Sequence, residues 1–235
     1  MKSKITFFIL FVFCVSLAFS FEKTERLSLS ADGIDRLVID CGSGFLHVTG
    51  EESLRSIEVE AEIIVKGKRD RDMKDYVEKN VRLELKKQGS RAVLISLFKN
   101  QFPNISFRER VINLTVKVPN NMGLEVDDGS GEVRIAHING NIQIDDGSGE
   151  INILDIHGDV GIDDGSGTID VRDVTGSVTV DDGSGTIQVR DIGENVKVSD
   201  GSGSIYIDGV AGDVIIKEEG SGSCNIKNVS GRVIK

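Results

Sequence analysis

Along the second half of the chain the apolar residues recur every 18 positions. Counting each repeat from the first residue of a Gly-Ser-Gly triplet, Val or Ile occupies positions 5, 7, 10, 14 and 16 almost without exception. One copy reads Val133, Ile135, Ile138, Ile142 and Ile144; two copies on it reads Ile169, Val171, Val174, Val178 and Val180. The triplets begin at Gly129, Gly147, Gly165, Gly183, Gly201 and Gly220, at intervals of 18, 18, 18, 18 and 19 residues. Positions 5 and 7, and again 14 and 16, alternate with their neighbours as a half-buried strand does. β-Branched side chains suit such a packed, pleated surface. Gly-Ser-Gly supplies one corner, because Gly accepts the positive φ of a tight reversal, and Gly140, Gly158 and Gly176 mark the other side of the coil.

These features predict an all-β fold, a parallel β-solenoid (β-helix) in which each repeat is one coil of about 18 residues and like positions stack about 4.8 Å apart. A hexapeptide β-helix also uses about 18 residues per coil, but its apolar residues come at every sixth place. A flattened coil of two main strands fits this spacing better. A lone coil would leave its Val and Ile in water, so stacking is obligatory.

The first hundred residues carry a fragment of the same pattern. Leu37 and Ile39 stand in the places of positions 14 and 16, Gly42 opens a further Gly-Ser-Gly, and Leu46 and Val48 take the places of 5 and 7. Cys41 occupies the place of an acidic residue. This stretch is expected in the first layers of the solenoid, with residues 51–122 an insertion or cap that alternates like antiparallel β-structure. Ile57, Val59, Ala61, Ile63 and Val65 read as one strand, Val81, Leu83 and Leu85 as a second, residues 92–98 as a third, and Ile112, Leu114, Val116 and Val118 as a fourth. Between the first two, Met73, Tyr76 and Val77 fall at helical spacing in a charged segment and predict one short amphipathic helix.

Residues 1–20 have the form of a secretory signal peptide. Lys2 and Lys4 precede an apolar run over residues 5–19, and Ala18 and Ser20 take the −3 and −1 positions of a small-residue cleavage site. The run is shorter than the roughly 20 apolar residues that cross a bilayer. No transmembrane segment is therefore expected after cleavage, and the chain is assigned to the periplasm, the cell surface or the medium. Cys14 follows Phe13, whereas a lipidation signal wants a small residue there. The organisation read from sequence is thus 1–20 signal peptide, 21–122 N-terminal β-rich part and 123–235 repeat solenoid.

Lys and Arg number 28 against 38 Asp and Glu, a formal net charge of −10. That balance excludes a nucleic-acid binder, which needs basic side chains to displace counterions from phosphates. The charge is also segregated, with 22 acidic and 5 basic side chains over residues 123–222. Such a field suits cations or a basic partner, and it also resists edge-to-edge aggregation. Much of it comes from acidic pairs before the triplets, which place Asp127, Asp145, Asp163 and Asp181 in one file and Asp128, Asp146, Asp164, Asp182 and Asp200 in the next. Carboxylates about 4.8 Å apart repel by roughly 0.9 kcal/mol in water, so something must offset the stacking. One reading is local: Asp before Gly accepts hydrogen bonds from backbone N–H groups of the turn. The other makes these nine residues metal ligands, with Ca²⁺ bridging successive coils. Calcium-binding nonapeptide repeats have a different spacing, so the local reading is preferred and no cofactor is expected.

Other chemistry is sparse. His47, His137 and His157 fall at different repeat positions and form no ladder, and the recurring Ser of the triplet serves corner geometry. Cys41 belongs to the first layers and Cys224 to the last coil, several strand spacings apart and beyond disulfide reach, so both are expected as free thiols. From Gly129 onward the only aromatic residue is Tyr206, which leaves a carbohydrate-active enzyme without its usual platforms.

The order of parts carries a resemblance. An opening strand into Gly-Ser-Gly, a charged helix, strands ending in Val116-Lys117-Val118-Pro119 and then Gly-Ser-Gly coils resemble the bacterial putative-adhesin family of exported β-strand-repeat proteins, formerly a domain of unknown function. The resemblance covers nearly all of the chain after residue 20. It implies adhesion or surface binding and supplies no catalytic residues. The expected function is a non-catalytic exported binding or scaffold protein, with a glycan or a basic protein of the surface or envelope as its partner. The structural alternative is an envelope protein that assembles end to end through its last coil. A third class, a polysaccharide-active β-helix enzyme, would need a non-repetitive cleft.

Overall fold

A computed structural model describes residues 19–67, 70–99 and 109–235. The signal-peptide expectation lies outside the described residues except at Phe19 and Ser20, which open the first strand. The elements of the N-terminal part are β1 (Phe19–Ser30), β2 (Arg36–Ser43), β3 (Leu46–Glu51), β4 (Ser56–Gly67), α1 (Asp70–Asn80), β5 (Val81–Gln88), β6 (Arg91–Phe98) and β7 (Glu109–Pro119). The array follows as β8 (Gly123–Ile138), β9 (Ile142–Asp146), β10 (Gly149–Ile156), β11 (Val160–Asp164), β12 (Gly167–Val174), β13 (Val178–Asp182), β14 (Gly185–Ile192), β15 (Val196–Asp200), β16 (Gly203–Val210), β17 (Val214–Glu218), β18 (Cys224–Val229) and β19 (Val233–Ile234).

Each coil contributes a long strand to one sheet, here sheet A, and a short strand to the facing sheet B. The fold is the parallel β-solenoid of about 18-residue coils, with a β-rich N-terminal part and one helix. In sheet A, β12 pairs with β10 and β14 so that Ile169 stacks between Ile151 and Ile187. In sheet B, β13 pairs with β11 and β15, with Val178 between Val160 and Val196. The five apolar columns face each other across the interior and are buried, as the 18-residue pattern requires.

Position 10 breaks the two-residue alternation, and the backbone shows how. The residue at position 9 has a left-handed conformation in successive coils: φ is 62° at His137, 56° at Asp155, 56° at Asp173 and 57° at Asp191. It is skipped in the pairing register, so Leu154 and Ile156 pair with Arg172 and Val174 while Asp155 bulges out. One such residue shifts the parity and turns position 10 inward. Asp and Asn accept this conformation more readily than most residues.

The fragment around Gly42 is in register with the array. Leu37 pairs with Leu124, Ile39 with Val126 and Cys41 with Asp128, and Leu46 and Val48 pair with Val133 and Ile135. Residues 51–122 do more than cap this layer. β6 pairs parallel with β2, and β7 parallel with β3, so they form one more layer of the same two sheets. The antiparallel strands lie outside it, β5 on β6, β4 on β7 and β1 on β4. β1 had no counterpart in the sequence reading, because Lys23 and Glu25 interrupt its apolar alternation. The helix forms where expected and packs on β1, β4 and β5, with Met73, Tyr76 and Val77 buried.

Candidate functional site

The two files of aspartates separate completely. Strands β9, β11 and β13 end in the acidic pair, and alternation sends the members of each pair to opposite faces. Asp127, Asp145, Asp163 and Asp181 are exposed on the outside of sheet B. Asp128, Asp146, Asp164, Asp182 and Asp200 continue the inward columns of Val and Ile and are at most 4% exposed. The nine residues singled out as possible metal ligands therefore belong to two sites with different chemistry.

The inner file has the local hydrogen bonds expected of Asp before Gly. The backbone N–H of Ser148 donates to Asp146 Oδ1 at 3.2 Å, that of Ser166 to Asp164 at 3.1 Å, that of Ser184 to Asp182 at 3.0 Å and that of Ser202 to Asp200 at 2.9 Å. The other oxygen, Oδ2, is buried in all five and has no hydrogen-bond partner among the described residues. Burial, reinforced by Asp128 and Asp164, pushes Asp146 up to about 7. Burial pushes Asp182 up to about 6, again with neighbouring carboxylates adding to the effect. Asp128, Asp164 and Asp200 are raised as well, chiefly by burial. At the N-terminal end of the file the Cys41 thiol donates to Asp128 Oδ1 at 3.3 Å. Ser96, the pairing partner of Cys41, is buried and its hydroxyl also lacks a partner among the described residues.

The outer file faces solvent beside a shallow concavity of about 740 Å³ on sheet B. Gly161 lies on its floor with the Gln143 side chain folded over it, and Thr179, Asp163 and Asp181 stand around it. None of the four outer aspartates makes an ion pair among the described residues; Lys197 on the adjacent strand feels the Asp181 charge without pairing with it, and Arg36 is 3.5 Å from Glu125 at the other end. A second open groove, about 620 Å³, follows the left-handed corner past Asp155, Asp173 and Asp191. The opposite turn is held by a file at position 13. Asn141 Oδ1 accepts from the Asp159 N–H at 3.0 Å, Asp159 from Ser177 at 2.9 Å, and Asn195 from Asp213 at 2.9 Å.

Among the described residues no three His, Cys, Asp or Glu side chains are grouped as a metal ion needs. His137 and His157 are exposed and make single contacts, to Asp155 at 2.6 Å and to Asn139 at 2.7 Å. Cys41 and Cys224 are both free. No helix among the described residues is long and apolar enough to cross a membrane. Sequence reasoning placed every member of both acidic files but missed the burial of the inner one. The signal was present: positions 14 and 16 point inward, and the second Asp is position 18.

Fold and site define a parallel β-solenoid with a registered acidic face and a buried acidic file. Among solved structures, the chain is similar to a putative cell adhesion protein from Clostridium sporogenes, at 13% identity over 88% of this chain and 99% of that one, with a TM-score of 0.42. It is also similar to a putative adhesin from Bacteroides fragilis, at 12% identity over 90% and 96%, TM-score 0.41. A third is a putative lipid binding protein from Parabacteroides distasonis, at 15% identity over 91% and 97%, TM-score 0.39. No protein-family model and no curated protein matches the chain.

Proposed function

We propose that this protein is a non-catalytic, exported binding module whose outer acidic file engages a basic protein surface at the cell envelope. The observation that carries this reading is the unpaired outer file beside the Gly161 concavity. Asp145, Asp163 and Asp181 stand one strand spacing apart on a rigid sheet, where each pair repels by roughly 0.9 kcal/mol in water. A Lys or Arg side chain lodged among them removes that repulsion, and the sheet has no ordering entropy left to lose. The motif resemblance supports the adhesin-like part of the reading. The regularity of the coils supports the non-catalytic part, because stacked identical corners do not build a unique reacting centre. Export rests on the signal-peptide form of residues 1–20.

The test is binding of residues 21–235 to immobilised basic proteins, neutral glycans and acidic glycans, at low and high salt. Binding to the basic surfaces should weaken steeply with salt, and should be lost in the triple variant Asp145→Asn, Asp163→Asn, Asp181→Asn. Binding to a glycan that ignores both salt and the triple variant would replace the basic partner with a carbohydrate. A second reading, self-association through the last coil, is favoured by Val233 and Ile234, which are 47% and 43% exposed. Sizing across a concentration series decides it, and a monomer throughout ends it.

A further inference from the structure

We propose that the inner aspartates form a proton-sharing ladder, in which protonated rungs alternate with ionised ones and each carboxyl O–H donates to the carboxylate next to it. The solenoid is thereby a proton-binding device, tightened by mild acid and loosened as the medium turns alkaline.

The geometry leaves few alternatives. Asp128, Asp146, Asp164, Asp182 and Asp200 are in strict pairing register, and each keeps one buried oxygen without a partner among the described residues. An ionised carboxylate can only accept, so five charged rungs would leave those oxygens desolvated, facing like charges and without a donor. The neighbouring carboxyl stands one strand spacing of about 4.8 Å away. Once the width of a carboxyl group is subtracted, that gap suits an O–H···O⁻ bond of about 2.6 Å. The N-terminal end of the file matches the idea. Cys41 already donates to Asp128, and Ser96, beside Cys41, adds a further buried hydroxyl.

Among the described residues, the side-chain charges that act on the ladder are carboxylates. They are its own members and, from the outer file, Asp127, Asp163 and Asp181. Sheet A, across the interior, presents the Val and Ile columns of positions 5 and 7. All five rungs are raised, and on alternate ones Asp146 reaches about 7 and Asp182 about 6. The sign follows directly. The folded chain holds protons that the unfolded chain has released, so stability is full below the ordinary carboxyl range and is lost as pH rises through about 6 to 7.

Two measurements on the protein test the ladder, both in chelator except where Ca²⁺ is the variable. Infrared spectroscopy should show a protonated-carboxyl C=O band, shifted by deuteration, that persists at pH 6 and fades by pH 8. Urea unfolding should show an unfolding constant that rises between pH 5 and 8, by up to about tenfold per pH unit for each proton released. Asp146→Asn, which keeps the shape and supplies a donor, should remove part of the band and flatten the pH dependence, by at least tenfold in the unfolding constant at pH 8 relative to pH 5. Asp145→Asn, on the exposed file, should change neither, and added salt should leave the band in place. Absence of the band at pH 6, or a stability that rises from pH 5 to 8, overturns the proposal. So does a melting temperature that climbs with millimolar Ca²⁺ in the wild type but not in Asp146→Asn, because the file would then hold cations in place of protons.

Discussion

Replacing Gly167 by Ala probes the tightest packing in the array. Its φ is +151°, and an added Cβ would lie 1.7 Å from the carbonyl oxygen of Gly149 in the preceding coil. A normal C···O contact is about 3.3 Å, so the two coils must part by about 1.5 Å at this corner. One corner bond crosses that level, from the N–H of Gly149 to Ser166 O at 3.0 Å. Losing it removes about 1 kcal/mol, and an L-residue held at that φ adds about 1–3 kcal/mol of strain. The expected loss is therefore about 2–4 kcal/mol. Gly89→Ala is the matched control, because Gly89 also has a positive φ, +65°, but its added Cβ meets nothing within 4 Å. That variant should lose only the conformational part, about 1–2 kcal/mol. Urea titrations followed by far-ultraviolet circular dichroism measure both. If Gly167→Ala loses no more than Gly89→Ala, close approach between coils is not what makes glycine necessary, and the reasoning fails.

Ile169→Ala empties a fully buried place between Ile151 and Ile187; a loss of about 2–5 kcal/mol is expected, and less than 1 kcal/mol would mean the columns are not tightly packed. Asn195→Ala removes the acceptor of the Asp213 N–H at 2.9 Å, for a loss of about 1 kcal/mol read as a small drop in Tm with no change in secondary structure. Cys41 is buried and its thiol is pushed up, first by desolvation and then by the Asp128 charge, whereas Cys224 is partly exposed. A thiol reagent at pH 8 should label Cys224 well before Cys41 in native protein and both in urea without reductant; equal native rates would contradict the burial of Cys41.

The period of 18, the five columns, the amphipathic helix and the alignment of Cys41 with the second Asp were all legible in the chain. Each is a local periodicity, and in a solenoid every coil contacts only its neighbours, so repeating the local pattern reproduces the fold. The layer made by β6 and β7 was not legible, because no Gly-Ser-Gly joins the two strands. Nor was β1, whose Lys23 and Glu25 conceal its pairing with β4. The left-handed residue at position 9 left only a faint mark, the step of three between positions 7 and 10. The acidic pair shows most clearly what tertiary structure alone decides. Asp145 and Asp146 are identical in chemistry and adjacent in sequence. Whether the strand of Ile142 and Ile144 turns before them or runs on through them depends on pairing with the coils above and below. It runs on, so alternation sends one carboxylate to water and the other into the interior, where its Oδ2 has no hydrogen-bond partner among the described residues.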